Sequence, residues 1–199
     1  LIYYRFLNKL LDYNSGILEE DKTMEHTFKV GMQIGDFWTT TVYAVYCGYA
    51  FIDRGDHNGF IKMTEKLNEI ADSFDNSHAR AQWYRLSSIG NFLFRKMDDD
   101  LDLISEGILY AGKSGHFTVL LILWCIKSLW HSLKGETEEA VKAFQEASKH
   151  IHDKQFLPIY YSQYLLARAW MEWSELKYCI DHQKPIKKQN NGLKYPVRE

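Results

Sequence analysis

The run from Phe117 to Leu133, FTVLLILWCIKSLWHSL, is apolar on every side of a helix and carries only Lys127 and His131 as titrating groups besides Cys125. Such a run is too long for an ordinary strand and long enough for a buried helix. Lys134-Gly135-Glu136 interrupts it. A second segment, Glu136 to His150, then places Ala140, Val141, Phe144, Ala147 and, just beyond, Ile151 at helical spacing with charges between them. The unit reads as helix, tight turn, amphipathic helix. A lone hairpin of this kind cannot bury both its faces, so it needs neighbours on either side.

The rest of the chain supplies them. Boundaries recur about every forty residues, at Gly35-Asp36-Phe37, Asp75-Asn76-Ser77, Gly115-His116-Phe117 and Lys154-Gln155-Phe156. Internal turns fall between them at Asn14-Ser15-Gly16, Arg54-Gly55-Asp56, Met97-Asp98-Asp99 and Lys134-Gly135-Glu136. Turn residues at regular intervals between helical patterns signal an array of helical hairpins. The pattern predicts helices over 1–13, 18–34, 37–53, 57–73, 77–96, 99–113, 117–133, 136–150 and 156–180. From Asp181 the composition turns polar and basic, so residues 1–180 form one repeat domain of about four helix pairs plus a final helix, and 181–199 a tail or linker. The expected fold is all-α: a right-handed superhelical array of antiparallel hairpins, with the first helix of each pair lining the concave side.

Composition narrows the function classes. Of 199 residues, 46% are hydrophobic and 25% charged, which suits a globular chain with ample core. A net charge of −2 gives no chain-wide electrostatic footprint for nucleic acid. The longest apolar run, Phe117 to Ile126, is about half a membrane span, which predicts no membrane partner. Cys47, Cys125 and Cys179 are odd in number and lack a CxxC, which points to reduced thiols and a cytoplasmic setting. The chain opens on Leu1 rather than methionine and is expected to be a piece of something longer, with truncated ends that could self-associate.

Within the hairpin, Trp124, Ser128, Gly135-Glu136, Ala140, Phe144 and Ala147 resemble a tetratricopeptide (TPR) repeat, whose bulky, small, turn, small and aromatic positions follow in that order. The forty-residue period is longer than the standard thirty-four. It resembles the long-helix TPR-like repeats of large bacterial signalling proteins, predicted ATPases attached to LuxR-type DNA-binding, guanylate cyclase or kinase domains. The stretches Gly35–Asp56, Lys66–Phe74 and Ser132–Ala147 carry the likeness, which covers roughly residues 15–180. It implies a scaffold or sensor segment whose catalysis lies in other domains of the parent. The third turn departs from the pattern, with Met97-Asp98 where glycine is expected.

No stretch carries an enzyme signature. GxSxG and HExxH are missing, and no base is identifiable for any cysteine. Asp98, Asp99, Asp100 and Asp102 lack the glycine and terminal glutamate of a calcium loop and read as helix-start carboxylates. The eight histidines are scattered without zinc spacing. Arg54-Gly55-Asp56 matches an integrin tripeptide, yet glycine followed by an acid is what a hairpin turn requires. The expectation is therefore no catalytic residue, no metal and no cofactor.

The surplus is aromatic, 15% of residues, concentrated on the first helices of the pairs. Aligning these on Ala44, Tyr84, Trp124 and Tyr161 places Tyr49, Asp53, Gln82, Arg85, Cys125 and Ser162 along the concave line, with Arg80, Lys127 and Arg168 nearby. These six are the candidate partner-binding residues. The leading expectation is a protein or peptide partner, which could be another domain of the same chain. The alternative is a small effector held in the groove and sensed through a change of curvature.

Overall fold

The computed structural model describes residues 21–94, 100–151 and 158–181. Among them the chain forms eight α-helices and no strand. In chain order these are α1 (Asp21–Ile34), α2 (Phe37–Asp53), α3 (His57–Ser73), α4 (Ser77–Phe94), α5 (Asp100–Ser114), α6 (Phe117–Leu133), α7 (Thr137–Lys149) and α8 (Pro158–Asp181). The expected bounds of α2, α3 and α6 coincide with the observed ones, and the others agree within a few residues. The helix expected at 1–13, the turns at Asn14–Gly16 and Met97–Asp99, the boundary at Lys154–Phe156 and the tail from residue 182 lie outside the described residues.

One turn geometry recurs at the five connections among the described residues. Gly35, Gly55, Asp75, Gly115 and Gly135 have positive φ, between 47° at Asp75 and 76° at Gly135. They fall at multiples of twenty residues, so the turns within and between hairpins are the same device. At each, the next residue's N–H reaches back to a carbonyl five residues earlier: Asp36 to Gly31 (3.1 Å), Asp56 to Phe51 (2.9 Å), Asn76 to Ala71 (3.1 Å), His116 to Ala111 (3.0 Å) and Glu136 to His131 (2.9 Å). This closes the departing helix in the Schellman manner, with the left-handed residue best served by glycine. The same residue then starts the next helix. Asp36, Asp56 and Asn76 accept from the N–H groups of Thr39, Gly59 and Ala79 at 2.9–3.0 Å, each side-chain cap worth about 1 kcal/mol.

Every helix packs on the next in sequence where both are described, and the first helices of successive pairs also pack together: α2 on α4, α4 on α6, α6 on α8. The second helices α1, α3, α5 and α7 make no close contact with one another. α2, α4 and α6 therefore face neighbours on several sides, which is why α6 is apolar all round rather than along one stripe. Small residues let these helices approach. A Cβ on Gly48 would fall 2.4 Å from Leu86 Cδ2, and Ser128, fully buried, donates to the Ala140 carbonyl at 2.9 Å. The core is a chain of apolar clusters running through successive pairs, from Phe28, Tyr43 and Leu67 at one end to Leu129, Tyr164 and Ala167 at the other.

Candidate functional site

Val45, Arg85 and Cys125 stand forty residues apart on α2, α4 and α6, and all three are buried. Valine and cysteine suit an apolar helix–helix seam. Arginine at the middle position brings a cation into it. Its guanidinium is part of a residue only 2% exposed, with its central carbon 5.6 Å from the centroid of the Tyr49 ring. A desolvated cation over an aromatic face gains about 2 kcal/mol, a fraction of the cost of leaving water. Gln82, one turn earlier, is buried as well, and its Oε1 has no hydrogen-bond partner.

The six candidate residues thus divide. Gln82, Arg85 and Cys125 are inside; Tyr49 is half-buried beside Arg85; Asp53 and Ser162 are exposed. The apolar concave line, which its sequence leaves either buried by tight packing or open to a partner, is filled along its middle by contacts among α2, α4 and α6. Burial pushes the Cys125 thiol up to about 12, so it stays protonated and is a poor nucleophile. The three nearby cations are already engaged. Arg80 pairs with Asp72 and donates to Asn68, both on α3. Lys127 donates to Ser105 on α5 at 3.1 Å, and Arg168 pairs with Glu172 at 2.7 Å.

Among the described residues of α8, Tyr164 and Ala167 are buried, in the cluster with Leu121, Cys125 and Leu129, and Tyr161 is partly buried against it. Ser162, the candidate residue on this helix, is exposed.

Sequence reasoning missed one cluster. His78 and His116 look scattered, yet their rings lie 5.6 Å apart, and His78 stacks on Trp38 at 6.1 Å with the planes 15° apart. The Nε2 atoms of both histidines are buried without a hydrogen-bond partner. Burial, then His116 and Arg85, lowers the His78 pKa to about 4. Burial lowers that of His116 too, against a hydrogen bond to the Ser77 backbone. The forty-residue period itself was the available signal, because it sets the starts of α4 and α6 side by side.

An open concavity lies elsewhere. A groove of about 830 Å³ runs between α1 and α3, floored by Phe28, Phe51, Met63 and Ile70 and rimmed by charges that include Lys29, Lys62 and Glu69. Among the described residues no three His, Cys, Asp or Glu side chains converge as metal ligands would, and no helix is long and apolar enough to cross a membrane. Gly55 and Asp56 of the Arg54-Gly55-Asp56 tripeptide serve the turn, as left-handed residue and helix cap. Of the acidic run, Asp98 and Asp99 lie outside the described residues and Asp102 is exposed on the first turn of α5.

No family model matches the chain, and no curated protein and no solved structure shows significant similarity to it.

Proposed function

We propose that this chain is a TPR-like α-solenoid segment, a right-handed superhelical array of antiparallel hairpins, that acts as a non-catalytic protein-interaction scaffold within a larger cytoplasmic signalling protein of bacterial type. The observation that carries this reading is the contact pattern. Helices pack in sequence, one turn geometry recurring at the five described connections, with α2, α4, α6 and α8 stacked on one another and α1, α3, α5 and α7 held apart. Stacked hairpins of this kind present long surfaces rather than one reaction centre. The groove between α1 and α3 supplies such a surface, with an apolar floor to anchor a peptide or helix and a charged rim to set its register.

The rival reading is a sensor that binds a small effector between the first helices. Its support is the Arg85 guanidinium beneath Tyr49, a cation at a seam position that is apolar one repeat before and after. Because that seam is filled, binding there requires α2 and α4 to part.

The deciding experiment compares the wild type with Lys29→Glu/Lys62→Glu, two exposed rim positions, and with Arg85→Met. The scaffold reading expects a defined protein to be captured from lysate by wild type and Arg85→Met, and lost from the rim variant. If nothing is captured, and a metabolite screen raises the Tm of wild type but not of Arg85→Met, the sensor reading replaces it.

A further inference from the structure

α4 carries a polar line in a seam that α2 and α6 line mostly with apolar residues. His78, Gln82 and Arg85 stand at positions i, i+4 and i+7, on one face of the helix. One period away, the matching residues are Trp38, Val42 and Val45 on α2 and Thr118, Ile122 and Cys125 on α6. Gln82 is 8% exposed, and its Oε1 has no hydrogen-bond partner. The Nε2 atoms of His78 and of His116, whose rings lie 5.6 Å apart, are buried and unpartnered as well. Buried polar atoms are nearly always satisfied, so three such atoms on one turn of α4 and at the start of α6 call for an occupant.

His116 departs from its repeat in a second way. Asp36 and Asn76, forty residues apart, cap α2 and α4 with their side chains, but His116 makes no side-chain cap bond to α6. Its ring hydrogen-bonds the Ser77 backbone instead. Because Nε2 has no partner, that bond belongs to Nδ1, which donates to the Ser77 carbonyl and leaves Nε2 as a bare lone pair. A backbone carbonyl on the far nitrogen is how metal-binding imidazoles are commonly oriented.

We propose that His78 Nε2, His116 Nε2 and Gln82 Oε1 form a site for one divalent transition-metal ion of the zinc class, which ties the start of α4 to the start of α6. Three points select a cation. Imidazole nitrogens and an uncharged oxygen are donors that such an ion takes. Ligands at i and i+4 put two donors on one helix face. Two imidazoles sharing an ion at about 2.1 Å hold their ring centroids about 4.5–6.4 Å apart, depending on the angle at the metal, and the observed 5.6 Å falls inside that range. An anion is the poorer fit, since His116 Nε2 and Gln82 Oε1 can only accept. The third donor is an amide, which is why no cluster of three His, Cys, Asp or Glu marks the site among the described residues. Arg85, whose charge reaches His78, opposes a cation and holds the affinity to about 1–100 µM. Water completes the coordination shell.

The inference goes beyond the scaffold reading and stands whatever the α1–α3 groove binds. Its test is calorimetric titration of the full chain, free of any tag, with zinc chloride at pH 7.5, beside thermal melts. Wild type should bind one Zn²⁺ in the micromolar range, and its Tm should rise with Zn²⁺ and fall back on chelation. His116→Asn puts at the start of α6 the residue type that caps α4, so it keeps the fold while removing a ligand. That variant and His78→Phe should each weaken binding more than about tenfold, the loss that outer-shell partners alone can cause. Gln82→Glu, which places a charged oxygen at the third position, should tighten it by a similar factor. Absence of binding at 1 mM Zn²⁺ overturns the proposal and leaves the three atoms to an ordered water. Binding that survives His116→Asn overturns it too, because the ion is then held by other histidines. Gln82→Glu no tighter than wild type refutes Gln82 as the third ligand.

Discussion

Lowering the pH should destabilise this protein through His78 before its carboxylates titrate. The ring is held neutral by burial, by His116 and by Arg85, with a folded pKa near 4 against about 6.5 for a free imidazole. A pKa lowered by folding means that the unfolded chain takes up the proton first as pH falls. The stability His78 contributes is therefore complete above pH 6.5 and is lost as pH drops towards 4, with no further loss below. Full development over 2.5 pH units would cost about 3.4 kcal/mol, and the part developed between pH 7.5 and pH 5 about 2 kcal/mol. The ring keeps some contact with solvent, which screens the effect, so about 1 kcal/mol is expected over that interval.

Urea denaturation followed by tryptophan fluorescence at pH 7.5, 6.5, 5.5 and 5 measures this directly. The comparison is with His78→Gln, which keeps a polar side chain but cannot titrate in the range. The remaining histidines and the carboxylates shift both proteins alike, so the difference between the two pH profiles isolates position 78. Wild type should lose about 1 kcal/mol more than the variant between pH 7.5 and 5. His116, also lowered, should show a smaller loss of its own that persists in His78→Gln. Parallel profiles for the two proteins would refute the account of a neutral, buried His78.

Two backbone substitutions test the repeated turn and the close helix contacts. Asp75 is the one left-handed turn residue in the described turns that is not glycine, so Asp75→Gly should raise stability by about 0.5–1 kcal/mol, read as a higher urea midpoint with an unchanged m-value; a lower midpoint would show that the carboxylate does something the turn geometry does not reveal. Gly90→Ala sets two effects against each other. Helix propensity favours alanine by about 1 kcal/mol, but the new Cβ would fall 2.0 Å from Cζ of Phe60, whose ring is boxed in by Phe94 at 5.5 Å and His57 at 6.3 Å. Overpacking of that kind costs about 1–3 kcal/mol, so a net loss of about 1 kcal/mol is expected, and a gain would mean that the Phe60 ring yields freely.

Helix bounds were legible because the turns announce themselves: Gly35-Asp36, Gly55-Asp56 and Gly135-Glu136 each pair a left-handed residue with a helix-starting acid. What those turns could not reveal was where the helices would press together. Arg85 reads in sequence as a groove anchor, since arginine is rarely buried, yet the forty-residue step sets it level with Val45 and Cys125 in a closed seam. Periodicity fixes the position and says nothing of how near the next helix comes. α8 shows the same limit. Tyr160, Tyr161 and Tyr164 offer three aromatic anchors for the alignment, and only the buried pair Tyr164 and Ala167 shows which side is covered.

The same limit explains why the two histidines stayed hidden. A site assembled across repeats has no local spacing, because its members are one period apart and each looks isolated. The period makes such pairs predictable in one respect: any two residues about forty apart at the start of α2, α4 or α6 are candidates for contact. Trp38 and His78 satisfy that rule, and so, two residues short, do His78 and His116. Each is harmless in sequence. Together they place two unpartnered imidazole nitrogens and an indole at one end of the stacked first helices. Protonation there would set a charge against Arg85 in the seam that holds α4 between α2 and α6. The part of the fold that acid loosens first should therefore be the start of α4, ahead of the α6–α7 contact, where Ser128 and Ala140 carry no titrating group.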